Sequence, residues 1–278
     1  MGSVEFDIQR KIVANMTSES WRSIPHVAFS YEPEVTAFLE RYRESGQAVS
    51  LNTLLLHTIA EALKAAPGMN AHFHYNRWLV TGKLEPREQV DISMPTILPD
   101  GRMMTLTLRD CGSRTPPELQ RQIDDLRRRA ANSHLDDVLM ETAMRDTLRA
   151  LSRGRVLKAA GRLLGRALQP RCARTLHGRQ RRESRAIPPE ERLTRQDIEQ
   201  GGITVSNFGS LDRAMRGRPL LLEVVPPQTA VIGIGAIQET GDGKILPMCI
   251  AFDHRALDFG DIVPFLRRMD QLLGGGPA

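Results

Sequence analysis

The stretch Asp253-His254-Arg255-Ala256-Leu257-Asp258-Phe259-Gly260-Asp261 lies between an apolar, strand-like run at 245–252 and an amphipathic, helix-like run at 262–273. A histidine followed four residues later by a carboxylate, at such a junction, is typical of an imidazole held in one orientation as a general base. His254 is therefore the first candidate for catalysis. A plainer interpretation also fits, in which His254 is an ordinary, partly buried histidine and Asp258 is the N-cap of the last helix.

Three further stretches accompany this one, and each resembles a motif of the same family. They are Arg10-Lys11-Ile12-Val13-Ala14 with Ser20 and Ile24-Pro25-His26, then Ile203-Thr204-Val205-Ser206-Asn207-Phe208-Gly209, then Pro226-Pro227-Gln228-Thr229-Ala230-Val231-Ile232-Gly233-Ile234-Gly235. Together with 253–259, which is similar to a DHRxxDG signature, they resemble the catalytic domain of the dihydrolipoamide acyltransferases, the acyl-transferring components of 2-oxoacid dehydrogenase complexes. The first motif departs at one position, because its Met falls on Thr17.

The resemblance covers about 7–131 and 201–273. It implies an α/β, two-layer sandwich of the chloramphenicol acetyltransferase-like, CoA-dependent acyltransferase type. Antiparallel hairpins with helices grouped between them favour a layered α/β sandwich independently. We expect one catalytic domain over 1–278, with 132–200 as a basic amphipathic insertion within it. The predicted strands lie at 26–31, 77–81, 89–97, 103–108, 203–208, 230–238 and 244–252, and the predicted helices at 7–19, 33–46, 51–66, 117–131 and 262–273.

The resemblance also implies roles for the site residues. His254 is the expected general base, and the Ser206 hydroxyl is the expected donor to the oxyanion of a tetrahedral intermediate. Asp258 is expected to pair with an arginine, either Arg255 or Arg10, and so to hold the turn that carries the imidazole. Because the family's sites lie between neighbouring subunits, a homotrimer is implied, with His254 and Ser206 from different chains. The remaining expected contacts to the substrate or to coenzyme A are Asn207, Arg255 and Thr204.

Two hypotheses on function follow. In the first, a stand-alone acyltransferase moves an acyl group between acyl-CoA and a lipoyl thiol on a separate protein, a carrier-protein thiol, or a small-molecule hydroxyl or amine. In the second, a catalytically impaired protein of the same fold serves as a scaffold, because Phe259 replaces the glycine of the signature. Phenylalanine cannot adopt every backbone angle that is open to glycine. We therefore expect the loop after Asp258, and the entry of a substrate arm, to differ from the family pattern.

Composition narrows the class of protein. No run approaches the roughly 18 apolar residues of a membrane span, and 1–11 lacks the apolar stretch of a signal peptide, so we expect a cytoplasmic protein. Cys111, Cys172 and Cys249 show no CxxC spacing, and the histidines show no ligand spacing, so we expect neither a disulfide framework nor a metal site. In 278 residues we expect no lipoyl domain, and hence no lipoyl group on this chain.

One segment makes the protein basic. Between Arg145 and Pro188 there are thirteen Arg and Lys residues against Asp146 and Glu183, whereas the whole chain carries a net charge of +5. Apolar residues recur at helical steps over 144–168, which predicts an amphipathic helix or helix pair broken at Gly154. Two interpretations stay open for 145–185: packing on the protein, or attachment to an anionic surface, either lipid headgroups or an acidic carrier protein. We do not expect nucleic acid as a partner, because no aromatic residue lies there to stack on bases.

Overall fold

The computed structural model describes residues 6–98, 101–152, 160–161, 164, 176, 178–211 and 217–274. Contacts divide the chain into two units, Met1–Ser18 with Asp125–Ile198, and Glu19–Asp124 with Glu199–Ala278. Ser206 and His254 both lie in the second unit. The insertion predicted at 132–200 lies in the first, apart from its last two residues.

A six-stranded mixed sheet forms the centre of the second unit. The strands of this sheet and of two small hairpins are β1 His26–Tyr31, β2 Ala71–Asn76, β3 Thr81–Pro86, β4 Ile92–Ile97, β5 Met103–Leu108, β6 Ile203–Asn207, β7 Ala230–Ile234, β8 Gln238–Thr240, β9 Gly243–Ile245 and β10 Met248–Asp253. The sheet has the order β1-β10-β7-β6-β4-β5. Strand β6 is parallel to β4 and β7, and the other neighbours are antiparallel. Strands β7 and β10 are buried along their whole length, as apolar runs covered on both faces should be.

The helices include one that follows the His254 turn. In the described residues they are α1 Ile8–Ser23, α2 Thr36–Glu44, α3 Leu51–Leu63, α4 Pro116–Ala131, α5 Leu135–Ser152, α6 Gly178–Ala186, α7 Arg195–Ile198 and α8 Phe259–Gly274. Helix α8 buries Ile262, Phe265, Met269 and Leu273, a helical spacing that gives it one apolar face. That helix packs against α2 and α3. None of the described helices has the length and apolar character needed to cross a bilayer.

The strand predicted at 77–81 is wrong, because residues 77–80 form the turn between β2 and β3. The Asn76 side-chain oxygen accepts hydrogen bonds from the backbone N–H groups of Trp78, at 3.0 Å, and Leu79, at 3.1 Å. A short side chain that bonds the backbone two and three residues ahead favours a turn. The apolar letters of 78–80 are typical of a strand, so the local hydrogen bonds outweighed the apolar pattern.

Two other predicted strands are each divided in the structure. The run at 230–238 becomes β7 and β8, and the run at 244–252 becomes β9 and β10. The divisions coincide with hydrogen bonds outside the ladder, from Gly235 N–H to the Pro247 carbonyl at 2.8 Å and from Leu246 N–H to the Pro33 carbonyl at 3.0 Å. The helix predicted at 33–46 begins at Thr36. The other predicted elements are confirmed, with shifts of a few residues at their ends.

The basic amphipathic segment is described only in part. Helix α5 covers its beginning, and the predicted break at Gly154 lies outside the described residues. The side chains of Met144, Leu148 and Leu151 are exposed on α5. They are four and three residues apart, so they lie on one side of the helix.

A polar cluster formed by Ser20, His26 and Val224 ties β1 to the segment that precedes β7. The Ser20 hydroxyl donates to the Val224 carbonyl at 2.7 Å, and the Val224 N–H donates to His26 Nε2 at 3.0 Å. Burial lowers the pKa of His26 below its ordinary value. A protonated Nε2 has no lone pair left to accept the Val224 N–H. The cluster therefore requires the neutral imidazole.

We expect the thermal unfolding temperature to fall as the pH drops below about 6.5, the ordinary pKa of histidine. Below that pH the unfolded chain binds a proton at His26 more readily than the folded chain, whose pKa is lower, so acid favours unfolding. His26→Asn should flatten this dependence in calorimetric scans between about pH 8 and 5. His72, whose pKa burial also lowers, should keep part of the slope. Equal slopes in the wild type and in His26→Asn would contradict the role given to the cluster.

Candidate active site

The buried carboxylate of Asp253 organises the turn that carries His254. Asp253 ends β10 and is 1% exposed. Its backbone carbonyl accepts from the N–H groups of Ala256, at 2.9 Å, and Leu257, at 3.0 Å. One carboxylate oxygen accepts from the Arg255 N–H and Nε, at 3.0 and 2.9 Å, and the other accepts from Arg255 Nη2 at 2.6 Å. The backbone carbonyl and the side-chain carboxylate of Asp253 therefore both stabilise the turn at 253–257.

Hydrogen bonds decide the orientation and the tautomer of His254. Its backbone N–H donates to the Pro25 carbonyl at 3.0 Å. Its Nδ1 lies 3.1 Å from the Leu257 carbonyl oxygen. A carbonyl can only accept, so Nδ1 carries the proton and Nε2 keeps a free lone pair. His254 is exposed, and its ring meets the edge of Phe252 with centroids 6.0 Å apart. This geometry is what a general base needs.

Asp258 caps helix α8. One of its carboxylate oxygens accepts from the N–H of Gly260 at 2.7 Å and of Asp261 at 3.3 Å, and Asp261 accepts the Asp258 N–H at 2.8 Å. This reciprocal pair is a capping box. The interpretation of Asp258 as an N-cap is confirmed. The expected pairing of Asp258 with Arg255 is wrong, because Asp253 is next to the turn and binds that guanidinium; pairing with Arg10 stays a prediction.

Phe259 begins helix α8, and its backbone is not in the left-handed region that favours glycine. Its ring packs edge-on against Phe252, with centroids 5.6 Å apart, and against Phe29, at 6.2 Å. Replacement of the signature's glycine therefore needs no unusual backbone here. The phenylalanine at position 259 adds a half-exposed aromatic ring. This ring lies next to Phe252, which contacts His254.

Ser206 lies on β6, buried, and far from His254 of the same chain. The sheet register aligns Ser206 with Gly233 of β7, and Gly233 with Cys249 of β10, five residues before His254. With about 3.3 Å per residue along a strand and about 4.8 Å between strands, the two residues lie roughly 20 Å apart. One chain therefore does not bring the predicted base and the predicted oxyanion donor together.

The other predicted contact residues have partners of their own. The Thr204 hydroxyl donates to the Gln228 side-chain oxygen at 2.8 Å. The Asn207 amide donates to the Asn52 side-chain oxygen at 2.8 Å. That leaves their roles toward the substrate or coenzyme A as predictions. In the part of the chain that is described, no group of three His, Cys, Asp or Glu residues could hold a metal ion.

Arg255 has two neighbours that sequence reasoning missed. Its guanidinium lies over the rings of Phe73, at 5.7 Å, and Tyr75, at 5.2 Å. Both rings belong to β2, at alternate positions, and are stacked with centroids 6.1 Å apart. The alternating aromatic residues of β2 were the one sign of such a contact in the sequence. Arg255 lies far from β2 in the chain, so no local pattern connects it to these rings.

Comparison with known proteins assigns the family. The model of the 2-oxoacid dehydrogenases acyltransferase catalytic domain matches 4–143 and 183–276. The unmatched interval, 144–182, lies inside the predicted insertion. The chain is 37% identical over 92 residues to the dihydrolipoyllysine-residue succinyltransferase component of the 2-oxoglutarate dehydrogenase complex from Pseudomonas aeruginosa, which is 30% of this chain and 22% of that protein.

A longer match has lower identity. The chain is 20% identical over 266 residues to the dihydrolipoyllysine-residue acetyltransferase component of the pyruvate dehydrogenase complex from Rickettsia felis, which is 90% of this chain and 48% of that protein. The chain thus spans less than half the length of these curated relatives.

Solved structures agree on the fold. The truncated catalytic core of the 2-oxoacid dehydrogenase multienzyme complex from Thermoplasma acidophilum has a TM-score of 0.65 at 16% identity and full coverage of both chains, 100% each. Dihydrolipoamide acetyltransferase from Azotobacter vinelandii has a TM-score of 0.64 at 18% identity, with 98% of this chain and 91% of that chain covered. The predicted fold class is confirmed. The chain belongs to the 2-oxoacid dehydrogenase acyltransferase family and matches its catalytic domain.

Proposed function

We propose that this protein is a CoA-dependent acyltransferase that moves an acyl group between a CoA thioester and a second thiol. The observation that carries the proposal is the bond between His254 Nδ1 and the Leu257 carbonyl, at 3.1 Å. It leaves a basic Nε2 on an exposed ring. A catalytically impaired scaffold would have no need to keep that tautomer, or the buried Asp253–Arg255 pair that supports the turn.

The chemistry uses two groups of the protein. His254 Nε2 takes the proton from the attacking thiol, and the resulting thiolate adds to the carbonyl carbon of the thioester. The Ser206 hydroxyl donates a hydrogen bond to the oxyanion of the tetrahedral intermediate. When the intermediate collapses, the carbon–sulfur bond of the starting thioester breaks. The thiolate that departs from this bond takes the proton from His254. Atoms and charge balance without any further reactant.

The site is shared between two copies of the chain in this proposal. A base and an oxyanion donor must lie within hydrogen-bond reach of one thioester, but His254 and Ser206 of one chain are roughly 20 Å apart. Ser206 therefore comes from a neighbouring subunit, and a homotrimer closes the arrangement. The use of a serine and a histidine in one mechanism is supported by the Azotobacter vinelandii enzyme, where a serine, a histidine and an asparagine four positions after that histidine were investigated in the catalytic mechanism.

The second thiol is best assigned to a dihydrolipoyl group. The relatives from Pseudomonas aeruginosa and Rickettsia felis are named as acyltransferases of a dihydrolipoyllysine residue. A carrier-protein thiol and a small-molecule acceptor are the alternatives. Purified protein incubated with acyl-CoA and either free dihydrolipoamide, a carrier protein or small-molecule acceptors, with products read by mass spectrometry, separates the three.

A second proposal concerns the basic segment, 145–185, as a site of peripheral contact with anionic lipid or an acidic carrier protein. The exposure of Met144, Leu148 and Leu151 on one side of α5 supports surface attachment over packing. Arg145 and Arg179 of the described residues are paired with Glu141 and Glu183, so the free positive charge would have to come from the remaining arginines of the segment. A cytoplasmic location stays an expectation.

Replacement of His254 by Ala should lower turnover by about two to four powers of ten, the usual size of a general-base contribution. Folding should be unchanged, because the side chain is exposed. The measurement is acyl transfer from acyl-CoA to dihydrolipoamide under saturating conditions, with His57→Ala as the control histidine variant. Turnover near the wild-type value in His254→Ala would remove this residue from the mechanism.

Two substitutions of Asp258 distinguish its role as the N-cap of α8 from a role of its negative charge. Asp258→Ala should lower the free energy of unfolding by about 1 kcal/mol, the usual loss for an N-cap. Asp258→Asn should be nearly neutral, because asparagine caps as well as aspartate does. Denaturant unfolding of both variants checks this. A large loss of stability in Asp258→Asn would indicate an ion pair to Asp258, in place of the cap described above.

A further inference from the structure

The tip of the β2–β3 hairpin exposes three successive large apolar side chains. Trp78 is 85% exposed, Leu79 71% and Val80 74%. Scattered apolar residues are common on protein surfaces, but a contiguous apolar patch marks a contact site. Tyr75 and Leu84, on the two strands below the tip, extend the exposed apolar surface. Arg77 is the one charged residue of the tip, residues 77–80, and its guanidinium lies 5.3 Å from the centre of the Trp78 ring. On β3, Lys83 and Glu85 pair with each other.

Side-chain hydrogen bonds and an unusual backbone conformation define the turn at the tip. Asn76 accepts hydrogen bonds from the N–H groups of Trp78 and Leu79. Val80 has φ of +51°, in the left-handed region that a β-branched residue adopts only at a cost. A glycine would adopt this backbone freely. The chain keeps a large apolar side chain at a strained, exposed position, which points to a partner for that side chain.

The base of the same hairpin is attached to the turn that carries His254. Phe73 and Tyr75 lie under the guanidinium of Arg255, and that guanidinium also binds the buried carboxylate of Asp253. A movement of β2 would therefore change the contacts of Arg255, whose guanidinium binds the carboxylate that anchors residues 253–257. Arg255 is a positioning residue between the hairpin and the turn.

We propose that the β2–β3 hairpin docks through its tip on a second copy of this chain and, through Arg255, couples that docking to the orientation of His254. The inference rests on the proposed function. The occupant is a second copy because the site is incomplete in one chain, with His254 and Ser206 roughly 20 Å apart. The proposed function therefore places another copy at the His254 turn, and Arg255 joins this turn to the hairpin. The almost uncharged tip suits a protein contact, since attachment to an anionic lipid surface or nucleic acid needs several free cations.

The docking half is tested with Trp78→Ser and Val80→Gly, measured by light scattering over a dilution series. Val80→Gly removes an apolar side chain and also relieves the left-handed strain, so a loss of assembly could not be attributed to misfolding. Both variants should raise the protein concentration at which half of the assembly dissociates by at least about tenfold. Leu220→Ser, which changes a side chain that is 78% exposed elsewhere on the same unit, is the matched control and should leave that concentration unchanged.

A monomeric wild-type protein, or variants that assemble like the wild type, would overturn the docking half. This result does not depend on activity, so it is distinguishable from a failure of the proposed acyl transfer. If wild-type protein assembles through the hairpin but transfers no acyl group to any acceptor, the proposed function fails and the docking surface stands.

The coupling half is tested with Arg255→Lys, which keeps a charge beside Asp253 but loses the planar group that stacks on Phe73 and Tyr75. Assembly should be unchanged, and turnover should fall about tenfold or more while KM for acyl-CoA stays constant, because the variant acts through His254. A raised KM with unchanged turnover would instead assign Arg255 to the expected contact with coenzyme A and overturn the coupling. The 15N signals of the His254 imidazole, read in histidine-labelled protein, should lose their preference for a proton on Nδ1. Unchanged imidazole signals and turnover in Arg255→Lys would overturn the coupling.

Discussion

The buried carboxylate of Asp253 is the interaction on which the rest of the site depends. A charge that is 1% exposed is tolerated only with partners that satisfy it, and breaking such a pair typically costs about 3–5 kcal/mol. Here the partners are the backbone and guanidinium of Arg255. Because those bonds close the turn, they also bring the Leu257 carbonyl to His254 Nδ1 and so decide which ring nitrogen is free to act as a base.

In the proposal, the same carboxylate connects local chemistry to assembly. The guanidinium of Arg255 that binds Asp253 also lies over Phe73 and Tyr75, so the β2–β3 hairpin and the turn share one guanidinium. In the six-stranded sheet, β7 lies between β6, which carries Ser206, and β10, which leads to His254, and the register adds five residues along the strand. If both residues act on one thioester, as proposed, the two groups can meet only between copies of the chain. We propose that the hairpin tip holds two copies together and that the shared site forms where these copies meet.

Sequence predicted the fold well because the motifs and apolar periods lie in contiguous segments. The central strands β7 and β10, the apolar face of α8 and the cap at Asp258 are all local patterns. Failures came where hydrogen bonds compete with the apolar pattern. Locally, Asn76 made a turn of an apolar run; from farther along the chain, Pro33 and Pro247 accepted bonds at the ends of strands. The pairing of Arg255 with Asp253 was missed because a second carboxylate, Asp258, lies only one residue farther from Arg255 in sequence.

The central claim is that one site takes His254 from one chain and Ser206 from another. Co-expression of His254→Ala and Ser206→Ala chains with different tags, followed by purification on both tags, isolates hybrid trimers. Each hybrid then holds one intact site in three, so we predict about a third of wild-type acyl transfer although each parent is inactive. Hybrids as inactive as their parents would mean that both groups act within a single chain, and would contradict the shared site.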